Sequence, residues 1–287
     1  MTRDVDPART IAFQGEPGAY SDLACRAAYP DMTTLPCASF EQAFAAVEEG
    51  RAAIGMIPIE NSVAGRVADI HQLLPETGLH IVGEHFQRVQ HQLLAPRGTA
   101  LSSVKRVYSH VQALSQCRRS LRALGLQPVT YPDTAGAAAY VARRGDPEEA
   151  AIASSLAGEI YDLDVLKPDI EDEKHNTTRM IVLSREPRVP DPKSGRLITT
   201  FVFRVRNVPA ALYKAMGGFA TNGVNMTKLE SYMVGGEFSA TQFYADVEGH
   251  PDHPNVRLAL EELDFFSREV RILGVYPAHP FRQRESH

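Results

Sequence analysis

The residues best suited to chemistry are His175-Asn176-Thr177-Thr178-Arg179-Met180, which run straight into the apolar stretch Ile181-Val182-Leu183. Small polar side chains and one cation stand together at the mouth of what reads as a buried strand. None of them binds a metal well or makes a strong nucleophile unaided. Together they offer hydroxyl and amide hydrogen bonds beside a positive charge. That suits an anionic substrate whose leaving group needs a proton donor.

The elements that must position such a site repeat one grammar. Short apolar runs, such as Ile11-Ala12-Phe13, Ala53 to Ile59, Arg106 to Tyr108, Val129 to Tyr131 and Ala150 to Ala153, each end in Gly or small polar residues. Those ends are Gly15 to Ser21, Glu60-Asn61-Ser62, Ser109 to Gln112, Asp133-Thr134 and Ser154-Ser155, and a helix is expected from each. The helices run to about Tyr29, Leu74, Leu124, residue 143 and Tyr161; a further one, Ser39 to Glu49, carries an N-cap Ser and apolar Phe40, Ala43, Phe44 and Val47 at helical spacing.

Strands alternating with helices imply parallel sheets, with ligands outside the carboxyl ends of the strands. Helices starting there aim free N–H groups and partial positive charge at one crevice, which therefore prefers an anion. Ile81 to Leu94 reads as a long extended crossover into a second lobe. With a return near residues 170–178, the pattern is that of a two-lobed, type 2 periplasmic-binding-protein-like α/β fold.

Arg185 to Gly195 is a Pro-rich polar linker, and the grammar changes beyond it. A strand over Leu197 to Arg206 is followed by a helix from Pro209 to about Asn222-Gly223. Strands Asn225 to Val234 and Phe238 to Val247 flank a Gly235-Gly236 turn, then come a helix at 254–266 and a strand from Glu269 to Tyr276. The order βαββαβ is that of a ferredoxin-like sandwich. The expected boundaries are a catalytic domain at 9–186, a linker at 187–196, a second domain at 197–280 and a tail at 281–287. Within the first domain, lobe 1 takes 9–84 and 178–186, and lobe 2 takes 85–177.

Composition narrows the function further. Net charge is −5 over 287 residues, which argues against nucleic acid or an anionic membrane as partner. No apolar run approaches membrane-span length, and residues 1–9 lack the hydrophobic region of a secretory signal. Cys25, Cys37 and Cys117 are scattered without CxxC spacing, so reduced thiols and a cytoplasmic location are expected. The His residues show no metal-ligand spacing, His85 and His91 included.

The motifs GEPGAYS (15–21), PIENSVAG (58–65), YSHVQALSQC (108–117), DTAGAAAYVA (133–142), AAIASSLAGEIYDL (150–163) and NTTRM (176–180) occur in one order. NVPAALY (207–213) and KLES (228–231) follow them. With both halves in view, the chain resembles a prephenate dehydratase with a C-terminal ACT regulatory domain over nearly its whole length. The resemblance implies a carbon–oxygen lyase that removes water and carbon dioxide from prephenate to give phenylpyruvate, without metal or cofactor. It places Thr178 as donor to the departing hydroxyl, with Asn61, Ser109 and Gln116 orienting substrate and Glu60 beside them as catalytic residues. Substrate-binding positions are Tyr20, Ser21, Ser62, Thr134, Ala135 and Arg179.

The resemblance further implies L-phenylalanine as allosteric effector and a homo-oligomer joined through the ACT domain. Effector positions are Asn207, Ala210, Ala211, Leu212, Leu229, Glu230, Ser231 and Tyr232. Five residues depart from the family pattern. Val111 stands for a proline, Met180 for a phenylalanine, Ala210 for a glycine, and Tyr232-Met233 for Arg-Pro. The competing readings are an arogenate dehydratase, whose substrate carries an amino group in place of the side-chain keto group, and a non-catalytic two-lobed sensor.

Overall fold

The computed structural model describes residues 6–206, 208–233 and 240–283. The chain divides into two compact units, Met1–Val67 with His85–Met180 and Ala68–Glu84 with Ile181–His287.

The first unit is built on two sheets. In one, β1 (Thr10–Gln14) pairs in parallel with β2 (Thr33–Cys37) and β3 (Ile54–Asn61). Ile11, Ala12 and Phe13 are fully buried, as expected of a parallel strand covered on both faces. Helices α1 (Tyr20–Ala28) and α2 (Phe40–Glu48) connect these strands, and Ser39 Oγ caps α2 by accepting from Gln42 N at 3.3 Å. The helix expected directly after Asn61 is delayed. Asn61 Oδ1 accepts from Val63 N and Ala64 N, and this turn sends the chain back as β4 (Gly65–Arg66), antiparallel to β3. Only at Ala68 does α3 (Ala68–Leu73) begin.

The extended crossover is two strands, β5 (His80–Arg88) and β6 (Gln92–Pro96), interrupted around His91. The second sheet has the order β10-β6-β9-β7-β8, from β7 (Arg106–Ser109), β8 (Gln127–Thr130), β9 (Glu149–Ala153) and β10 (Leu163–Lys167). The single helix expected over 109–124 is broken at Cys117 into α4 (Val111–Gln116) and α5 (Arg118–Ala123). The Gln116 carbonyl accepts from Asp172 N at 2.6 Å instead of continuing the helix. Helix α6 (Thr134–Arg144) is capped by Asp133 and closed by Gly145 at φ 63°, and α7 (Ser155–Ile160) is capped by Ser154. The chain then returns as β11 (Thr177–Ser184), which lies between β3 and β5 in the first sheet. The periplasmic-binding-like, two-lobed arrangement is present. Strands β2 and β10 escape the sequence reading, because they are short, partly exposed and carry no clean alternation.

One close approach and two hydrogen bonds tie the lobes inside this unit. Gly18, at φ 88°, lies so near α7 that an added Cβ would sit 2.7 Å from Ala157 Cα. Ser154 Oγ donates to the Gly18 carbonyl at 2.6 Å, and Tyr161 OH donates to the Pro17 carbonyl at 2.9 Å. Gly18 is therefore required both for its backbone conformation and for its missing side chain.

In the second unit, β12 (Leu197–Val205), α8 (Ala211–Thr221), β13 (Met226–Met233), β14 (Ala240–Glu248), α9 (Pro254–Phe266) and β15 (Ser267–Pro277) follow the expected βαββαβ order. The sheet is antiparallel, ordered β13-β14-β12-β15. Phe201, Phe203, Phe219 and Phe243 form its core with Ala215, Val256 and Leu263 from the helices. The expected Gly235-Gly236 turn and Asn207 lie outside the described residues.

Candidate active site

The site is assembled where the end of β3 lies beside the start of β11. Neighbouring residues on a strand face opposite sides, so two cross-strand pairs form back to back. Asn61 Nδ2 donates to Thr178 Oγ1 at 2.9 Å, while Arg179 pairs with Glu60 at 2.9 Å. Arg179 is buried at 3 % exposure of its side chain and Glu60 retains 32 %. The cation expected beside Thr178 is thus turned to the other face of the strand and engaged by a carboxylate.

Asn61 is saturated. Both of its lone pairs take backbone N–H groups, and its second N–H donates to Asn176 Oδ1 at 2.8 Å. Because backbone N–H groups can only donate, the orientation of this amide follows without ambiguity. Thr178 Oγ1 accepts from Asn61, and among the described residues nothing accepts its hydroxyl proton. The half-buried Thr178 therefore presents a free O–H donor.

The network continues across the unit. Asn176 Nδ2 donates to Gln116 Oε1 at 3.0 Å, and His91 Nε2 meets the same oxygen at 2.8 Å. His91 Nδ1 lies 2.7 Å from Tyr20 OH, which is also 3.0 Å from the Gln90 carbonyl. Burial pushes the His91 pKa below its ordinary value, outweighing the raising influence of the Gln116 hydrogen bond and of Glu171. Burial foremost, with nearby Glu171 contributing, holds the Tyr20 phenol well above its usual range, so it stays protonated.

Of the residues expected from sequence, Thr178, Asn61 and Gln116 are joined in one network, and Tyr20 enters it through His91. Ser109 is fully buried and spends its hydroxyl proton on the Ile152 carbonyl at 2.6 Å. It stands at the end of β7, ahead of α4, so Ser109 and Gln116 do not share a helix face. Ser62 is not at a helix start. Its Oγ donates to the His175 carbonyl and accepts from Thr177 N, which fastens β3 to the return strand. Ser21 is buried in the first turn of α1, where Ala19 rather than a serine occupies the N-cap. Thr134 opens α6 behind the Asp133 cap, and Ala135 is fully buried, so only its backbone could meet a ligand. Cys117 is buried with its thiol pKa raised by desolvation, and it is packed rather than reactive. His91 is the member absent from the sequence-level site; it stands in an extended run, and nothing local marks it. Asn176 belongs to the stretch singled out from sequence, but its place in the network was not assigned there.

In the second unit, Ala210 adopts φ 63° at the N-cap of α8, a left-handed conformation costly for a residue with a Cβ. Ala211 and Leu212 pack into the helix–sheet core. On β13, Leu229 and Ser231 alternate with Glu230 and Tyr232, so these four cannot line one face. Glu230 pairs with Lys228 at 3.3 Å, and Tyr232 OH accepts from Gln242 at 2.8 Å. Tyr232 borders a cavity of about 320 Å³ with Arg204, Gln242, Glu269 and Arg271. Among the described residues, no helix is long and apolar enough to cross a membrane.

These features define a two-lobed α/β enzyme domain with a polarised amide network at its strand ends, and, in the same chain, a ferredoxin-like module. The prephenate dehydratase family model matches residues 11–188, and the chain belongs to that family. It is 57% identical, over 96% of its length and 98% of the relative's, to a bifunctional N-acyl-homoserine lactone acylase/prephenate dehydratase of Komagataeibacter europaeus. It is 39% identical to arogenate dehydratase/prephenate dehydratase 2 of Arabidopsis thaliana, over 93% of this chain and 72% of the relative. The crystal structure of prephenate dehydratase in complex with L-Phe from Arthrobacter aurescens matches with a TM-score of 0.86 at 32% identity, covering 94% of this chain and 90% of that one.

Proposed function

We propose that the protein converts prephenate to phenylpyruvate, with Thr178 donating to the departing ring hydroxyl. The carrying observation is the Asn61 Nδ2 donation to Thr178 Oγ1, which leaves the threonine proton free for a ligand. The electron pair of the ring C–carboxylate bond closes the aromatic ring and expels the hydroxyl; carbon dioxide leaves, and one proton is taken up to form water. A threonine hydroxyl is too weak an acid to surrender that proton outright. It acts by hydrogen-bonding the charge that develops on the leaving oxygen. Asn61 and Gln116 orient the substrate, Glu60 neutralises Arg179, and the starts of α1 and α6 at Tyr20, Ser21, Thr134 and Ala135 favour the carboxylates. Incubating the purified protein with prephenate and following phenylpyruvate tests this; no product at any concentration overturns it.

Arogenate, with an amino group where prephenate has a keto group, is the alternative substrate that the name of the Arabidopsis relative supports. Parallel assays with both compounds decide between them. The Komagataeibacter relative supports a second activity, hydrolysis of an N-acyl-homoserine lactone, which release of homoserine lactone would reveal.

For regulation, L-phenylalanine binds at the second domain, read as an ACT module, and inhibits from there. The L-Phe complex of the Arthrobacter relative supports this reading. The start of α8, at its N-cap Ala210 and first residue Ala211, and the exposed residues Leu229 and Ser231 of β13 are the surfaces proposed for it. Strand β13 is an open sheet edge, and pairing with a second copy would cover it, making a homo-oligomer. A cytoplasmic location fits the buried free cysteines.

A further inference from the structure

We propose that His91, held by Tyr20, is a positioning residue that makes Gln116 offer N–H rather than C=O to the substrate anion. The argument starts from hydrogen-bond polarity. Val63 N and Ala64 N set the Asn61 amide, so Asn61 Nδ2 donates and the facing atom of Asn176 is its oxygen. Asn176 therefore turns its own N–H toward Gln116, whose facing atom must be Oε1. His91 Nε2 meets that same oxygen at 2.8 Å, and two acceptors cannot share the contact, so Nε2 carries the ring proton. In a neutral imidazole the other nitrogen is then an acceptor. Tyr20 OH, 2.7 Å away, is the donor that satisfies it, in preference to the Gln90 carbonyl, which lies 3.0 Å from the same hydroxyl and competes for its one proton.

The chain is thus fixed from one end, by the backbone amides at Asn61, and its polarity runs through His91 to the Tyr20 hydroxyl. Both lone pairs of Gln116 Oε1 are occupied, and among the described residues no hydrogen bond engages Gln116 Nε2. A half-buried amide in this state presents donors only, which matches a dicarboxylate and repels no part of it. Removing the His91 donor frees one lone pair and lets the amide rotate, so that the carbonyl faces the carboxylate for part of the time.

Location adds a second argument. His91 and Asn176 stand on the two chain crossings between the lobes, next to each other in space, with Val89 N donating to the Asn176 carbonyl at 2.9 Å. The His91 backbone is itself tied down: its N–H donates to Glu171 Oε2 at 2.8 Å, and its carbonyl accepts from Ile170 N at 2.9 Å. A ring held this firmly at 2 % exposure has one orientation to offer. It carries the polarity from Thr178 in one lobe to Gln116 in the other.

This inference rests on the dehydratase reading, but its first test does not need activity. Long-range ¹H–¹⁵N spectra of the full chain with labelled histidine should show His91 as the Nε2–H tautomer near neutral pH, and Tyr20→Phe should introduce the Nδ1–H form. In kinetics with prephenate, His91→Leu should lower kcat/KM about tenfold, mostly through KM, because the Gln116 contact is made to ground state and transition state alike. His91→Gln, which keeps an N–H near the Nε2 position, should restore most of that loss. In a Gln116→Ala background, His91→Leu should change kcat/KM by less than about twofold. An Nδ1–H tautomer in the wild-type protein, additive losses in the double variant, or no rescue by His91→Gln would each overturn the assignment. Loss of activity with the tautomer pattern intact would instead count against the dehydratase reading.

Discussion

Asn61 Nδ2 lies 2.9 Å from Thr178 Oγ1, and because the amide can only donate there, the threonine is compelled to direct its own proton elsewhere. A hydroxyl placed beside a carboxylate would spend its proton on that neighbour. Beside a saturated amide it keeps the proton for the ligand.

Asn61→Asp should separate these roles. A carboxylate still accepts from Val63 N and Ala64 N, so the turn into β4 survives. It cannot donate, and it takes the Thr178 proton for itself. We expect turnover to fall by about two orders of magnitude or more, with a melting temperature close to that of the parent. Near-normal turnover would show that the hydrogen-bond polarity does not matter.

Thr178→Ala should reduce kcat by roughly 10²–10⁴ and leave KM nearly unchanged, since the contact strengthens only as the leaving group departs. Thr178→Ser should recover much of the loss, because it restores the hydroxyl in a less constrained rotamer. A KM effect without a kcat effect would reassign Thr178 to ground-state binding.

Ala210→Gly should stabilise the second domain by about 1 kcal/mol, because glycine occupies φ 63° without the penalty an alanine Cβ meets there. Chemical denaturation of the two proteins side by side measures it. Calorimetric titration with L-phenylalanine, using L-tyrosine as control, should also show tighter binding in the Gly variant, since a glycine lets backbone and ligand approach more closely. No heat with either protein would remove the regulatory proposal.

Stability should fall on mild acidification. The folded pKa of His91 is held below the ordinary 6.5 by burial. As pH drops, the unfolded chain therefore binds the proton before the folded one does. The stabilisation is complete above 6.5 and is lost as pH falls through the lowered folded value. Urea unfolding between about pH 7.5 and about pH 5 should show this slope, and His91→Gln should flatten it. An unchanged slope would mean that other groups carry the dependence.

The periodic and punctuated parts of this chain were open to a reading from sequence alone. Buried parallel strands such as Ile11-Ala12-Phe13 announce themselves as continuous apolar runs, and caps such as Ser39 and Asp133 mark helix starts. The βαββαβ order beyond the linker follows from alternation and turn residues in the same way. Local chemistry also singled out the stretch that holds Thr178, and the motif resemblance added Asn61 as a substrate-orienting residue. Tertiary structure decided everything that depends on which groups meet over long separations in sequence. Asn61 and Thr178 are 117 residues apart, and Tyr20 and His91 are 71 apart. No local periodicity records such pairings. Strand register alone turns Arg179 away from Thr178 toward Glu60, and packing alone buries Ser109 on the Ile152 carbonyl. His91 shows the limit most clearly. In sequence it is one polar residue in an extended stretch, and only the chain of donors and acceptors closing around it fixes which nitrogen holds its proton.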